Sequence, residues 1–226
     1  MNTLTIFVSS LAVLASASRP QRALNSRSSS SGPAAVDATY DGSCFYPKPT
    51  EDFVLQDYLG RWYQAASTTF GPTTGCECVF ADYALNDNGT VNVKNGCARN
   101  GTVSEIRIEG TATPFLPEAG YGASGVLQVQ FPGQPPSSCP GPNYVVQDIG
   151  VNADEDCPGR DSALDENAFA IVQSTNFTTL FLLSRNQSPS NASIEAWLER
   201  ARMLGAKLDN VALTNQTGCQ FPPEAA

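Results

Sequence analysis

Seven cysteines, Cys44, Cys76, Cys78, Cys97, Cys139, Cys157 and Cys219, are the residues of this chain whose side chains can form covalent bonds at neutral pH. A thiol becomes a nucleophile only where a basic neighbourhood lowers its pKa. Glu77 separates Cys76 from Cys78, so that pair reads as disulfide material. The chain contains no histidine, which removes the commonest general base, the usual proximal haem ligand and the nitrogen ligand of most zinc sites. No catalytic residue, metal site or cofactor is expected. The run Asn152-x-Asp154-x-Asp156 opens like a calcium loop, but its sixth position is Cys157 where that loop needs Gly, and its twelfth is Ala163 where it needs Glu. The coordination geometry fails, and the stretch reads as a solvated acidic loop.

The segment from Leu4 to Leu14 is apolar and is followed by Ala15 and Ala17, which together read as an export signal over residues 1–17. Asn-x-Ser/Thr sequons stand at Asn88, Asn100, Asn176, Asn186, Asn191 and Asn215, as expected of a secreted, extracellular glycoprotein. An exported chain meets an oxidising compartment, so the cysteines become a disulfide framework with one left over, free in a monomer or bridging a dimer. Nothing downstream is apolar for the roughly 20 residues a membrane helix needs, so integral membrane association is not expected. A formal charge of −9 excludes a sequence-independent grip on nucleic acid.

The elements that position these groups come from periodicity. Residues 18–41 are Ser-rich and read as a disordered leader, residues 42–220 as one folded domain and residues 221–226 as a tail. Short period-2 segments with turn residues between them predict consecutive antiparallel strands. They run from near Trp62, then Val79 to Leu85, Thr90 to Lys94, Glu105 to Thr113, Gly125 to Phe131, Tyr144 to Ile149, Ala168 to Ser174 and Thr178 to Ser184. Ile106 and Ile108 alternate with charged neighbours, so they are expected on one dry face. Asn86-Asp87-Asn88-Gly89 supplies a hairpin turn. About eight strands fit a small closed barrel, which places the chain in the all-β class. After the last strand, Ile194, Trp197, Leu198, Ala201 and Leu204 recur at helical spacing, bounded by Pro189-Ser190 and Gly205. That stripe must be buried against the barrel's outside. Cys139 and Cys157 flank the Tyr144 strand and can clip the acidic insertion Gly150 to Glu166, while Cys76 and Cys97 stand at neighbouring strand ends and can pair across the sheet.

Gly60-Arg61-Trp62-Tyr63, preceded by Phe53, is followed by Cys78 to Tyr83, Asn88-Gly89, Val91-x-Val93-x-Asn95, Ile108-x-Gly110-x-Ala112 and Phe181 to Asn186. In order and spacing this resembles the lipocalin family, in its branch of apolipoprotein D and bacterial outer-membrane lipocalins, over about Cys44 to Cys219. The resemblance implies an eight-stranded antiparallel up-and-down barrel with one C-terminal helix. It gives Gly60, Trp62, Tyr63 and Arg185 structural roles, with Arg185 lying across the Trp62 ring at the closed end. Asp148 is what remains of a family Thr-Asp-Tyr motif, here Gln147-Asp148-Ile149, and the insertion behind it puts an inherited receptor contact in doubt. The family also implies a bridge between Cys78 and Cys219, with Cys76 as rival partner, worth roughly 4 to 5 kcal/mol by chain entropy. Cys44 matches a family cysteine whose partner in the seventh strand is missing, which leaves it as the odd thiol or as partner to Cys139 or Cys157.

With Arg185 inward, alternation puts Leu183, Phe181 and Thr179 on the inner face. From Trp62 the same rule takes in Gln64, Ala66 and Thr68, while Leu127, Val129 and Phe131 form a further wall, with Tyr83 and Tyr144 as additional candidates. Such a barrel implies a carrier or scavenger of a fatty acid, sterol, isoprenoid or pigment rather than an enzyme. Other readings are a lipid isomerase or carotenoid-modifying enzyme, and a protein-binding lipocalin that meets an inhibitor target or cell-surface receptor through residues 150–165. Met203, on the helix, is the one methionine left after signal removal and the candidate for peroxide reduction of the apolipoprotein D kind.

Overall fold

The computed structural model describes residues 36–51, 53–69, 73–115, 125–135, 137–151 and 167–224. The export signal, the leader up to residue 35, and residues 152–166 of the acidic insertion with Cys157 lie outside the described residues. The elements in order are β1 (Ala38–Tyr40), β2 (Phe45–Pro47), α1 (Leu55–Tyr58), β3 (Gly60–Thr68), β4 (Glu77–Leu85), β5 (Val91–Ala98), β6 (Glu105–Pro114), β7 (Val126–Gln130), β8 (Tyr144–Val151), β9 (Ala168–Gln173), β10 (Leu180–Ser184), α2 (Asn191–Met203) and β11 (Val211–Leu213).

Strands β3 to β10 pair each with the next, antiparallel, and β10 pairs back onto β3, closing a ring of 8 strands. Closure leaves no sheet edge between them. Its β4–β5 turn is tight because Gly89 takes φ +81° and Asn86 N–H donates to the Thr90 carbonyl at 2.8 Å. One end of the ring, the floor, carries the start of β3 and the end of β10, with α1 beside it. The other, the mouth, carries the connections β3–β4, β5–β6, β7–β8 and β9–β10. Along β3, β4 is the partner only from Gly60 to Tyr63. Farther toward the mouth β11 takes over, opposite Ala66, Ser67 and Thr68.

The helix docks on the outer wall. Ser190 caps it by accepting from Ser193 N–H at 3.1 Å, and Gly205 ends it at φ +96°, where a side chain would be strained. Trp197 stacks on Phe169 with centroids 5.0 Å apart, in a cluster with Ile171, Leu180, Leu182 and Ala201 that Ile194, Leu198 and Leu204 complete. Burying one such large side chain stabilises the fold by about 2 to 3 kcal/mol. Arg200 pairs with Asp148, so the retained motif residue ties helix to barrel from outside.

Several expectations change. Residues 38–41 are not part of a leader: β1 pairs with β2, Tyr40 packs on Phe45, and Asp41 accepts from the Ser43 and Cys44 amides and the Tyr46 hydroxyl. A short hairpin with that much local bonding does not stay loose. The tail is also docked, with Phe221 edge-on to Tyr63 and Phe80 and Pro222 accepting from Arg61. Cys78 joins Cys219 and Cys76 joins Cys97. Cys44 joins Cys139, one of the two partners left open for it, which overturns the Cys139–Cys157 clip and the unpaired Cys44, because Tyr46 bonds Gly141 N–H and holds the hairpin beside the β7–β8 connection. All six described cysteines are therefore used. Ile106 and Ile108 do not share a dry face. Gly96 lies opposite Ile106 and Asn95 opposite Ile108, so Arg107 is the extra residue of a bulge that turns the two to opposite faces.

Candidate functional site

The floor is built from Trp62, which is fully buried. The guanidinium of Arg185 sits 4.0 Å above its ring and donates to the carbonyls of Arg61, Asp57 and Leu59 at 2.6, 2.8 and 2.6 Å. Trp62 Nε1–H donates to the Tyr58 carbonyl at 2.9 Å. Gly60 makes the entry possible at φ +88°, and a Cβ there would come 2.7 Å from Glu224 Oε1. Above the indole, the Tyr144 hydroxyl meets those of Tyr58 and Tyr83 at 2.6 and 2.9 Å. Burial pushes the Tyr83 phenol up to about 12 and those of Tyr58 and Tyr144 well above their ordinary value. Burial also draws Arg185 below its ordinary value. At neutral pH these tyrosines are neutral hydrogen-bonding groups, and the arginine is committed to backbone carbonyls.

The inner wall rises from this floor in rows set by strand register. Trp62, Ala81, Asn95 and Ile108 face one another in turn, as do Tyr83, Val93 and Gly110, and Val91, Ala112 and Val129. Val91, Val93, Ala81, Ala112, Leu127, Val146, Ala168, Ala170, Val172 and Leu183 belong to one apolar cluster with Trp62, Tyr83 and Tyr144. Toward the mouth, Phe181, Val129 and Phe131 pack on it while only half-buried. The Phe131 ring occupies the space a Gly110 side chain would need, since a Cβ there would lie 2.5 Å from its Cδ1.

Of the wall residues read from alternation, Phe181, Leu183, Leu127, Val129, Phe131, Tyr83 and Tyr144 therefore come together on the inside. Gln64 keeps its register opposite Leu183, but its amide is bonded to Thr214 Oγ1 at 2.8 Å. Ala66 belongs to the outer cluster. Leu182 lies opposite Ala66 and Leu183 opposite Gln64, so Ala65 is an extra residue that reverses the alternation beyond it. Thr68 follows Ala66 outward, opposite Val211, and its hydroxyl accepts from Leu180 N–H at 2.9 Å. Ser67, buried and opposite Phe181, takes the inward place that plain alternation denied it. Thr179 closes the β9–β10 turn with Ser174. Asn95 was visible as the third inward position after Val91 and Val93 and was missed as a wall residue.

The outer surface carries other groups. Tyr63 points outward. Arg61 holds Asp82 through two bonds of 2.7 Å and stacks over Phe80 at 4.6 Å, beneath the docked tail. Five sequon asparagines, Asn88, Asn100, Asn176, Asn191 and Asn215, are exposed, and Asn186 is half-buried. Met203 is 63% exposed. Among the described residues no group of three or more His, Cys, Asp or Glu could hold a metal ion, and no helix is long and apolar enough to cross a membrane.

A family model described as a lipocalin-like domain matches residues 53–216. Apolipoprotein D of Cavia porcellus is 28% identical over 190 residues, covering 80% of this chain and 87% of that protein. Apolipoprotein D of Bos taurus is 39% identical over 84 residues, 37% of this chain and 43% of that protein, so the chain spans less than half of it in that alignment. Outer membrane lipoprotein Blc of Vibrio cholerae is 25% identical over 169 residues, covering 75% and 86%. Among solved structures, apocrustacyanin C2 superposes with TM-score 0.48 at 13% identity, over 72% of this chain and 79% of that one.

Proposed function

The chain belongs to the lipocalin family, and from that premise we propose that it is a secreted glycoprotein that carries or scavenges a small hydrophobic ligand in its barrel and catalyses no reaction. The observation that carries the reading is the change in burial along the inner wall. The floor is sealed around Trp62, whereas Phe181, Val129 and Phe131 present half-buried apolar surface at the mouth. Alanines at 81, 112, 168 and 170 keep the wall thin, as an occupant of the barrel requires. Transfer of a chain of about sixteen carbons, at roughly 0.8 kcal/mol per methylene, covers the costs of association with enough left for micromolar binding. A fatty acid, sterol, isoprenoid or pigment fits this surface. The six described cysteines are all in disulfides, which favours binding over catalysis by a thiol in the wall.

Organic extraction of protein purified from a secretory host, followed by mass spectrometry, is expected to release one lipid class in near-stoichiometric amount. Val129→Trp, which fills the mouth, should abolish that load while the protein remains folded. Protein that emerges empty and takes up no member of a lipid panel would refute the carrier reading.

A further inference from the structure

Among the described residues, one polar side chain of the inner wall has a buried oxygen that the fold does not pair. Asn95 continues the inward positions Val91 and Val93 of β5 and lies between Ala81 and Ile108 in the row that begins at Trp62. Its Oδ1 is buried without a hydrogen-bond partner, and its amide bonds to no described residue. Leaving a shielded polar atom unpaired costs stability that an apolar residue of the same size would not. Two other side chains have an unpaired buried oxygen, Gln173 and Gln216, but their amide nitrogens hold structure together. Gln173 donates to Gln147 and the Leu204 carbonyl, and Gln216 to the carbonyls of Gln64 and Val79. Asn95 has no such task.

Its surroundings suit a ligand. Ala81, on one side, is small, and Ile108, on the other, is 39% exposed although it faces inward, so the row reaches solvent at Ile108. Cross-strand neighbours stand about 5 Å apart, within reach of a group seated against Ala81. An asparagine amide offers a donor and an acceptor together, whichever way it is turned. The cation that packs on this layer, Arg185, spends its guanidinium on three carbonyls, and the chain carries a net charge of −9. Among the described inner-wall residues a carboxylate head would therefore find no uncommitted cation.

We propose that Asn95 is the polar anchor of the barrel, selecting a hydrophobic ligand with a neutral group that both donates and accepts a hydrogen bond, such as an alcohol, over the matching ether or carboxylate. This inference rests on the carrier reading. Competition binding of hexadecanol, its methyl ether and palmitate tests both. The wild type is expected to bind the alcohol about tenfold tighter than the ether, and tighter than palmitate at neutral pH, while Asn95→Leu binds alcohol and ether alike. Asn95→Leu should also keep or raise the Tm, since it removes an unpaired polar atom; Asn95→Ala serves if leucine overfills the wall. A Tm lowered in both variants would show that the amide holds the fold and would overturn the proposal. Alcohol and ether bound equally by the wild type, or palmitate bound tightest, would overturn it and leave the carrier reading standing. Binding of none of the three would overturn both.

Discussion

The two ends of this barrel are held by different chemistry. At the floor, Trp62, Arg185 and the hydroxyls of Tyr58, Tyr83 and Tyr144 are buried and paired with one another or with backbone carbonyls. Toward the mouth Phe181, Val129 and Phe131 are half-buried and the Asn95 Oδ1 is unpaired, while the three disulfides all join segments there: the lead into β4 with the end of β5, β4 with the C-terminal segment, and the β1–β2 hairpin with the β7–β8 connection. A sealed floor supplies its own cohesion through packing and satisfied hydrogen bonds. Half-buried surface supplies less of that cohesion, and covalent links limit the chain entropy instead.

Removing the longest staple should have the largest effect. The Cys78→Ser/Cys219→Ser double variant opens a link across a sequence separation of 141, and chain entropy gives a loss of about 5 kcal/mol in urea unfolding. A loss below about 1 kcal/mol would mean that the mouth end coheres by packing after all. At the floor, Trp62→Ala should cost about 3 to 5 kcal/mol by leaving a cavity under Arg185. If it unfolds at the same urea concentration as the wild type, the floor is not a cohesive unit.

Alkali separates the ends without mutation. Because the folded-state pKa of Tyr83 is about 12 against an ordinary 10.0, the native state holds this proton when the unfolded state has released it. Stability is whole below pH 10 and is lost as pH rises toward 12, by about 3 kcal/mol for this group. Tyrosinate absorbance followed through the titration should show a late fraction that appears together with unfolding. Smooth titration of every tyrosine at the ordinary value would remove the sealed floor. The smallest change in stability belongs to the mouth. Phe181→Ser should shift the unfolding midpoint by no more than about 1 kcal/mol, since the ring is only half-buried, yet weaken lipid binding about tenfold in a fluorescence titration. An unfolded protein would place Phe181 in the core instead.

The strand ladder and the helix stripe from Ile194 to Leu204 were legible in the chain, because alternation and helical spacing are local properties, while the Trp62–Arg185 pair was implied by the family resemblance. Leu127, Val129, Phe131, Leu183 and Phe181 face inward as period 2 predicts. Ala66, Thr68 and Ile106 do not, because bulges at Ala65 and Arg107 insert one residue each and reverse everything beyond them. A bulge answers to the curvature of a closed ring, which no local pattern encodes.

Covalent and polar pairing divided along the same line. Adjacent strand ends left Cys76 with Cys97 as one possible pairing and family resemblance implied Cys78 with Cys219, whereas the choice of Cys139 for Cys44 depended on a hairpin docked beside the β7–β8 connection. Residue types and their periodicity alone determined an all-β chain with an apolar inner face and a helix against its outer wall. Closure of the ring decided which residues lie inside it, which cysteines meet, and that the amide of Asn95 is left without a partner, since each depends on contacts between segments far apart in sequence.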